Sequence, residues 1–300
     1  MKTRKLVVLL LLGSTLMTSM LTGCSRVPDI YVAKDGVQEN GSGESKQGEV
    51  VMVKNPRILP ERAGDGAADP FILRYNGWYY LYTTGEVNIW KSKDLVDWIY
   101  VGTANEVKPL SAAFAPEVYY WNGKFYMYTS PAGNGHYVLE ADKPEGPFNY
   151  VTDNFGLAID GSVFIEDDGS WYFTRAHSTG IMGHEMISPT EVNPNGTNLN
   201  LYMGHWTEGP MIIKRDGRYY MTYTGNHFQS KGYRVNYAVA EKGPFGPYHK
   251  PNNNPILIND MPISRNLGHS SFVYGPDLDS MYIAYHSYTG SLKNRVLNID

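Results

Sequence analysis

Thr207-Glu208-Gly209-Pro210-Met211-Ile212-Ile213-Lys214-Arg215-Asp216-Gly217-Arg218-Tyr219-Tyr220 sets a lone carboxylate before Gly-Pro, then an apolar run, an Asp-Gly turn and an aromatic run. Two strand-prone runs joined by Asp-Gly predict a β-hairpin, with Glu208 near the start of its first strand. The phrase recurs along the chain. Asn76-Gly77-Trp78-Tyr79-Tyr80-Leu81-Tyr82, Asn122-Gly123-Lys124-Phe125-Tyr126-Met127-Tyr128 and Asp168-Gly169-Ser170-Trp171-Tyr172-Phe173 are further copies. Leu278-Asp279-Ser280-Met281-Tyr282-Ile283-Ala284-Tyr285 is a fifth, with the glycine lost. The turn glycines at 77, 123, 169 and 217 are separated by 46, 46 and 48 residues, and Ser280 follows 63 after the last. A period of about 40–50 residues with several short strands per unit is the mark of a β-propeller. The fold class expected is all-β, a five-bladed β-propeller; unrelated hairpins in a sandwich would not keep such even steps.

Upstream of each turn stands one ionisable residue. Asp69 lies eight residues before Gly77, Glu117 six before Gly123, Asp160 nine before Gly169, Glu208 nine before Gly217 and His269 eleven before Ser280. The first strand of a propeller blade lines the central channel, so these groups are expected to converge at one end of it. Converging carboxylates raise one another's pKa values and can separate an acid from a base.

Composition narrows the setting. The 300 residues suffice for one all-β domain, and the net charge of −4 forms no block. No Lys/Arg stripe points to nucleic acid. The 24 tyrosines and 6 tryptophans suit half-buried strands and sugar-stacking faces alike. Trp78, Trp90, Trp171 and Trp206 could stack on sugar, with core packing the commoner fate of such residues. His136, His177, His184, His205 and His227 show no metal-binding spacing.

Residues 1–23 read as a targeting segment. Lys2, Arg4 and Lys5 give a positive start, and Leu6 to Leu12 an apolar stretch too short to span a bilayer. Leu21-Thr22-Gly23-Cys24 resembles a bacterial lipobox, and Cys24 is the sole cysteine. Cys24 is therefore the expected lipidation site and mature N-terminus of an exported, membrane-anchored cell-envelope lipoprotein. A chance cysteine after an ordinary secretory peptide is the alternative. With one cysteine there is no internal disulfide to staple the core. Residues 24–49 read as a flexible tether, and residues 50–300 as the propeller. The chain ends on a strand-like run, Asn294 to Asp300, and Val50 to Lys54 is a candidate for the strand that closes the last blade.

Ala68-Asp69-Pro70, Ala115-Pro116-Glu117, Ile159-Asp160-Gly161, Thr207-Glu208-Gly209-Pro210 and Gly268-His269-Ser270-Ser271 together resemble the blade motifs of glycoside hydrolase family 43. The resemblance covers roughly residues 55 to 300, and the order Asp, Asp, Glu in blades one, three and four is its specific part. It implies an inverting glycoside hydrolase acting on arabinose- or xylose-containing plant glycans. Asp69 is then the general base, Glu208 the general acid, and Asp160 a third acid that orients Glu208 and raises its pKa. Singly, each has a plainer reading: Asp69 and Asp160 as turn residues, Glu208 as a surface charge.

Glu117 is a candidate for substrate binding or for hydrogen bonding within the channel. Arg295, after Tyr285-His286 of the last blade, resembles an arginine that reaches the active site. The family often has Trp before Ala-Pro where this chain has Phe114. His269 resembles a histidine facing a channel cation, usually calcium, which would serve as a structural cofactor; a satisfied channel histidine is the alternative. The expected partners are a saccharide substrate and a membrane, with no nucleic acid, and the protein is expected to be a monomer. A propeller enzyme for β-galactosides or another sugar, and a non-catalytic carbohydrate-binding lipoprotein, are competing readings. Ala-Ala-Asp-Pro-Phe in the first blade argues against a fructan hydrolase, which wants Asn-Asp-Pro-Asn.

Overall fold

The computed structural model describes residues 31–34, 49–52, 59, 66–105, 110, 112–259, 264–289 and 294–300. The chain forms two units, Met1–Met52 and Val53–Asp300. In the first, Tyr31–Lys34 pairs antiparallel with Glu49–Met52. The targeting segment, Cys24 and most of the stretch read as a tether lie outside the described residues. Among the described residues no helix is long and apolar enough to cross a membrane.

The second unit is a five-bladed β-propeller. Blade one is Phe71–Tyr75, Trp78–Tyr82, Asn88–Ser92 and Trp98–Thr103, and blade two is Ala113–Trp121, Lys124–Pro131, Tyr137–Ala141 and Asn149–Tyr150. Blade three begins Ser162–Ile165, Trp171–His177 and Gly180–Ser188; two short strands, Glu191–Val192 and Thr197–Asn198, pair with its third strand. Blade four is Thr207–Arg215, Arg218–Gly225, Arg234–Ala240 and Leu257–Ile258. Blade five has three strands, Ser264–Tyr274, Met281–Thr289 and Arg295–Ile299. Within every blade, consecutive strands run antiparallel. The first strand of each blade touches the first strand of the next, and the fifth returns to the first, so these strands surround the channel.

The predicted hairpin turns form. Asn76-Gly77, Asn122-Gly123 and Asp216-Gly217 each place both central residues at positive φ, the type I′ geometry whose twist matches the strands it joins. Blade three differs, with a longer Glu166–Ser170 connection between Ile165 and Trp171.

Of the candidate closing stretch, Val50–Met52 pairs with Tyr31–Ala33, and Val53 and Lys54 lie outside the described residues; blade one meets blade five directly. Ala67 N–H donates to the Arg295 carbonyl at 2.5 Å, and Ser271 Oγ to the Pro70 carbonyl at 2.8 Å. Between blades, apolar faces interlock. Tyr82, Ile89, Val118, Met127 and Phe148 share one cluster, and Val138, Val163, Phe173 and Met186 another. Ten of the 24 tyrosines are buried in the core, where hydroxyls must find acceptors; Tyr82 donates to the Pro144 carbonyl at 2.7 Å. Trp90 and Trp171 are likewise buried, and Trp78 is half-buried under Lys91 and Lys93. Trp206 alone of the four candidate sugar platforms is exposed.

Candidate active site

Each blade carries, at the matching position of its entry, a residue in the left-handed region: Asp69 (φ 49°), Ala115 (φ 44°), Asp160 (φ 56°), Gly209 (φ 53°) and His269 (φ 50°). Non-glycine residues enter that region at a cost, and such strain gathers at functional sites where the surroundings over-determine it. Here a side chain of the preceding blade accepts the backbone N–H at, or just after, each of these positions. His286 Nδ1 takes Asp69 N–H at 3.2 Å, Thr84 Oγ1 takes Ala115 N–H at 2.8 Å, and Thr224 Oγ1 takes His269 N–H at 3.0 Å. His136 Nε2 takes Gly161 N–H at 2.9 Å, and Asp160 Oδ2 takes Gly209 N–H at 3.2 Å. A Cβ on Gly209 would stand 3.1 Å from the His269 ring, so glycine at this left-handed position also lets blade five approach.

This shared position sorts the candidates. Asp69, Asp160 and His269 occupy it. Glu208 sits one residue before it, where other blades carry Ala68, Phe114, Ile159 and Gly268. Glu117 sits two residues after it. Glu117 is buried, and its carboxylate accepts the Tyr119 hydroxyl. Tyr119 Oη in turn accepts Val163 N–H at 3.1 Å and lies 3.5 Å from Ser162 Oγ. That network ties blade two to blade three. Glu117 thus takes part in hydrogen bonding within the channel, one of the two roles expected for it, from a position one pleat further down the strand.

Asp69 is the most heavily coordinated acid. Arg295 Nη1 donates to Oδ1 at 2.9 Å and Thr84 Oγ1 to Oδ2 at 2.6 Å. His286 Nδ1 and His269 Nδ1 lie 3.2 and 3.4 Å from Oδ1. Burial alone would raise its pKa, but the Arg295 guanidinium, followed by His269, outweighs burial and holds the carboxyl well below the usual range. Asp69 is thus ionised. The charge of Arg295 goes to Asp69, with the guanidinium 5.6 Å from the centre of the Phe228 ring.

The other acids behave in the opposite way. Burial, then the charge of Asp69, pushes Asp160 up to about 7, against the Gly209 N–H and Arg295. Burial, then Asp160, pushes Glu208 up to about 7. Glu208 Oε1 accepts Tyr233 Oη at 2.6 Å, and Oε2 accepts Trp206 Nε1. Burial carries Glu117 to about 8. His286, stacked on Tyr233 at 5.7 Å, is pushed down to about 4 by burial, so it stands neutral beside Asp69.

His269 Nδ1 also lies 3.7 Å from Asp160 Oδ2. Asp160, Glu208 and His269 bring one possible ligand atom each within 4.8 Å of one another. Calcium takes six to eight ligands, mainly oxygen, so water would have to complete such a set. Glu208 cannot both ligate a cation and keep its proton. The donors compatible with an acid role for Glu208 are His269 and Asp160, with water.

His286, Thr84, Tyr233 and Trp206 were not singled out as partners of the acids from sequence. Tyr285-His286 was a visible landmark, but only folding shows that His286 touches Asp69. Phe114 and Ile159 both approach Gly133, at 3.8 and 3.1 Å from where its Cβ would stand; these two side chains replace, in blades two and three, the position Glu208 holds in blade four.

Cleavage of a glycosidic bond requires two carboxyl groups in opposite protonation states across one opening, and in a five-bladed propeller such a pair marks a glycoside hydrolase. Residues 63–299 match the model of glycosyl hydrolases family 43, and the chain belongs to that family. It is 28% identical to a β-D-galactofuranosidase of Aspergillus niger over 260 residues, covering 73% of each chain. It is 27% identical to a xylosidase/arabinosidase of Butyrivibrio fibrisolvens over 245 residues, 68% of this chain but 46% of that one. Among solved structures it resembles a thermostable family-43 glycoside hydrolase at 30% identity and a TM-score of 0.70, covering 83% of this chain and 92% of that one.

Proposed function

We propose that this chain hydrolyses glycosidic bonds of arabinose- or xylose-containing plant glycans with inversion at the anomeric carbon. The observation that carries the proposal is the split between two carboxyls of one channel: Asp69 held ionised by Arg295, and Glu208 raised to about 7 by burial and then by the charge of Asp160. Asp69 takes a proton from water as the water oxygen attacks the anomeric carbon. Glu208 gives its proton to the departing glycosidic oxygen. Asp160 holds the backbone beside Glu208 through Gly209 N–H, and its charge disfavours loss of the Glu208 proton.

The names of the Butyrivibrio and Aspergillus relatives support pentosides first and β-D-galactofuranosides second. Nitrophenyl α-L-arabinofuranoside, β-D-xyloside and β-D-galactofuranoside, run beside linear arabinan and xylan, test this directly. Cleavage of at least one is expected, and inactivity on the whole panel refutes the proposal. A calcium ion beside His269, held with Asp160 and water, and a lipid anchor at Cys24 of an exported protein, belong to the same reading. When bound, the cation would add positive charge that lowers nearby carboxyl pKa values.

A further inference from the structure

The general acid has two hydrogen-bonded faces. Its Oε1 is tied to Tyr233, which is fully buried; its Oε2 is tied to the indole N–H of Trp206, which is 37% exposed. Oε2 is therefore the oxygen on the solvent side of the acid. Base and acid act from opposite sides of the bond being broken. Groups crowded on Asp69, such as Arg295 and Thr84, belong to the side of the sugar that water attacks. A ring fastened to the outward oxygen of Glu208 borders the side on which the leaving group departs.

Trp206 is fixed there by its own segment. Thr207, fully buried, accepts Met203 N–H at 3.0 Å through Oγ1 and donates the same hydroxyl to the His205 carbonyl at 3.2 Å. A Cβ at Gly225 would come within 2.9 Å of both Met203 Sδ and the Trp206 carbonyl, so glycine there allows the segment to seat against blade four. Tyr202, 44% exposed, stands on the same segment. A large apolar ring held rigidly at the surface, with its one polar atom bound to a reacting group, is suited to pack against the C–H face of a sugar at little entropic cost.

We propose that Trp206 is the wall of the leaving-group subsite: the departing sugar packs on its indole face while its N–H positions Glu208 to protonate the bond. The proposal rests on the glycosidase reading and couples recognition of the leaving sugar to placement of the acid.

Glycosyl fluorides separate the two ideas, because fluoride has no ring to stack and needs little protonation. The fluoride and the disaccharide of whichever sugar the wild type cleaves are compared in Trp206→Ala and Trp206→Phe. Trp206→Ala should lose about tenfold in kcat/KM on the disaccharide, a stacking-sized effect, and stay within about twofold of wild type on the fluoride. Trp206→Phe keeps a ring but loses the donor. It should keep the disaccharide KM near the wild-type value, lower kcat because Glu208 is no longer held, and move the basic limb of its pH profile upward, since the Glu208 anion loses a hydrogen bond. Equal losses on both substrates, or undiminished disaccharide cleavage by Trp206→Ala, overturn the proposal. If the wild type cleaves neither, the glycosidase reading fails separately. Calorimetric binding of a xylo- or arabino-oligosaccharide then decides the wall: weakening by about tenfold in Trp206→Ala is expected, and unchanged binding refutes it.

Discussion

Asp160→Asn keeps the shape of the side chain, and one oxygen able to accept Gly209 N–H, while removing a charge beside Glu208. Glu208 stands at about 7, raised first by burial and next by Asp160. Burial persists in the variant, so only the second contribution goes. A like charge at this range is worth about 1–1.5 pKa units, which would leave Glu208 near 5.5–6. At pH 7 the protonated share of Glu208 then drops from about one half to roughly 3–9%, a loss of about five- to fifteen-fold. At pH 5 the share stays above roughly three quarters, and activity changes less than about twofold through this route. Because Asp160 itself titrates at about 7, the wild-type basic limb belongs to the pair, and the variant's limb should follow a single group. The assay is kcat/KM against pH from 4.5 to 9 on a natural oligosaccharide, with a glycosyl fluoride as the control that needs little acid. A basic limb that stays in place, or moves upward, refutes the charge coupling between Asp160 and Glu208.

Glu117→Gln should flatten the dependence of stability on pH. Its folded pKa of about 8 exceeds the ordinary 4.5, so between those values the folded state binds more protons than the unfolded, and stability falls as pH rises. The melting temperature of the variant should gain on wild type at pH 8 and match it at pH 5; a constant offset contradicts the buried-acid account. Exhaustive chelation should lower activity and melting temperature, with calcium restoring both; no change, together with no metal in the purified protein, makes His269 a purely structural residue. Cys24→Ala should abolish lipid labelling and release the protein from membranes, whereas wild-type protein found wholly in culture supernatant with another N-terminus sinks the anchor.

The blades were legible because a hairpin with one side buried needs both a turn residue and alternating apolar positions, and both recur in the sequence. The acids were legible as a set, but their depths in the channel were not. Measured from the left-handed residue to the turn glycine, the spacing is eight for Asp69 to Gly77, Ala115 to Gly123 and Gly209 to Gly217. It is nine for Asp160 to Gly169, where the longer Glu166–Ser170 connection takes the extra residue. Against that ruler Glu117 is displaced by two and Glu208 by one, which explains why one serves the channel wall and the other the opening. The shared left-handed position lies inside register shifts at Phe114/Glu117, Glu208/Met211 and Gly268/Ser271, and backbone bulges leave little trace in residue type. His286 and Thr84 were missed for a different reason. They act across the blade boundary, with His286 meeting Asp69 over a separation of 217 residues, and no local pattern encodes that contact.

The central claim is that Glu208 donates the proton to the leaving group while Asp69 activates water. The most direct test is the ratio of Glu208→Gln to wild-type turnover on two substrates of the same sugar, one with a dinitrophenyl leaving group and one with a sugar leaving group. Leaving groups of low pKa depart without protonation. The account predicts that the variant loses orders of magnitude on the sugar leaving group, at least about a hundredfold more than on the activated aryl glycoside. Equal losses on the two substrates, or near-normal cleavage of the sugar-sugar bond, would contradict it.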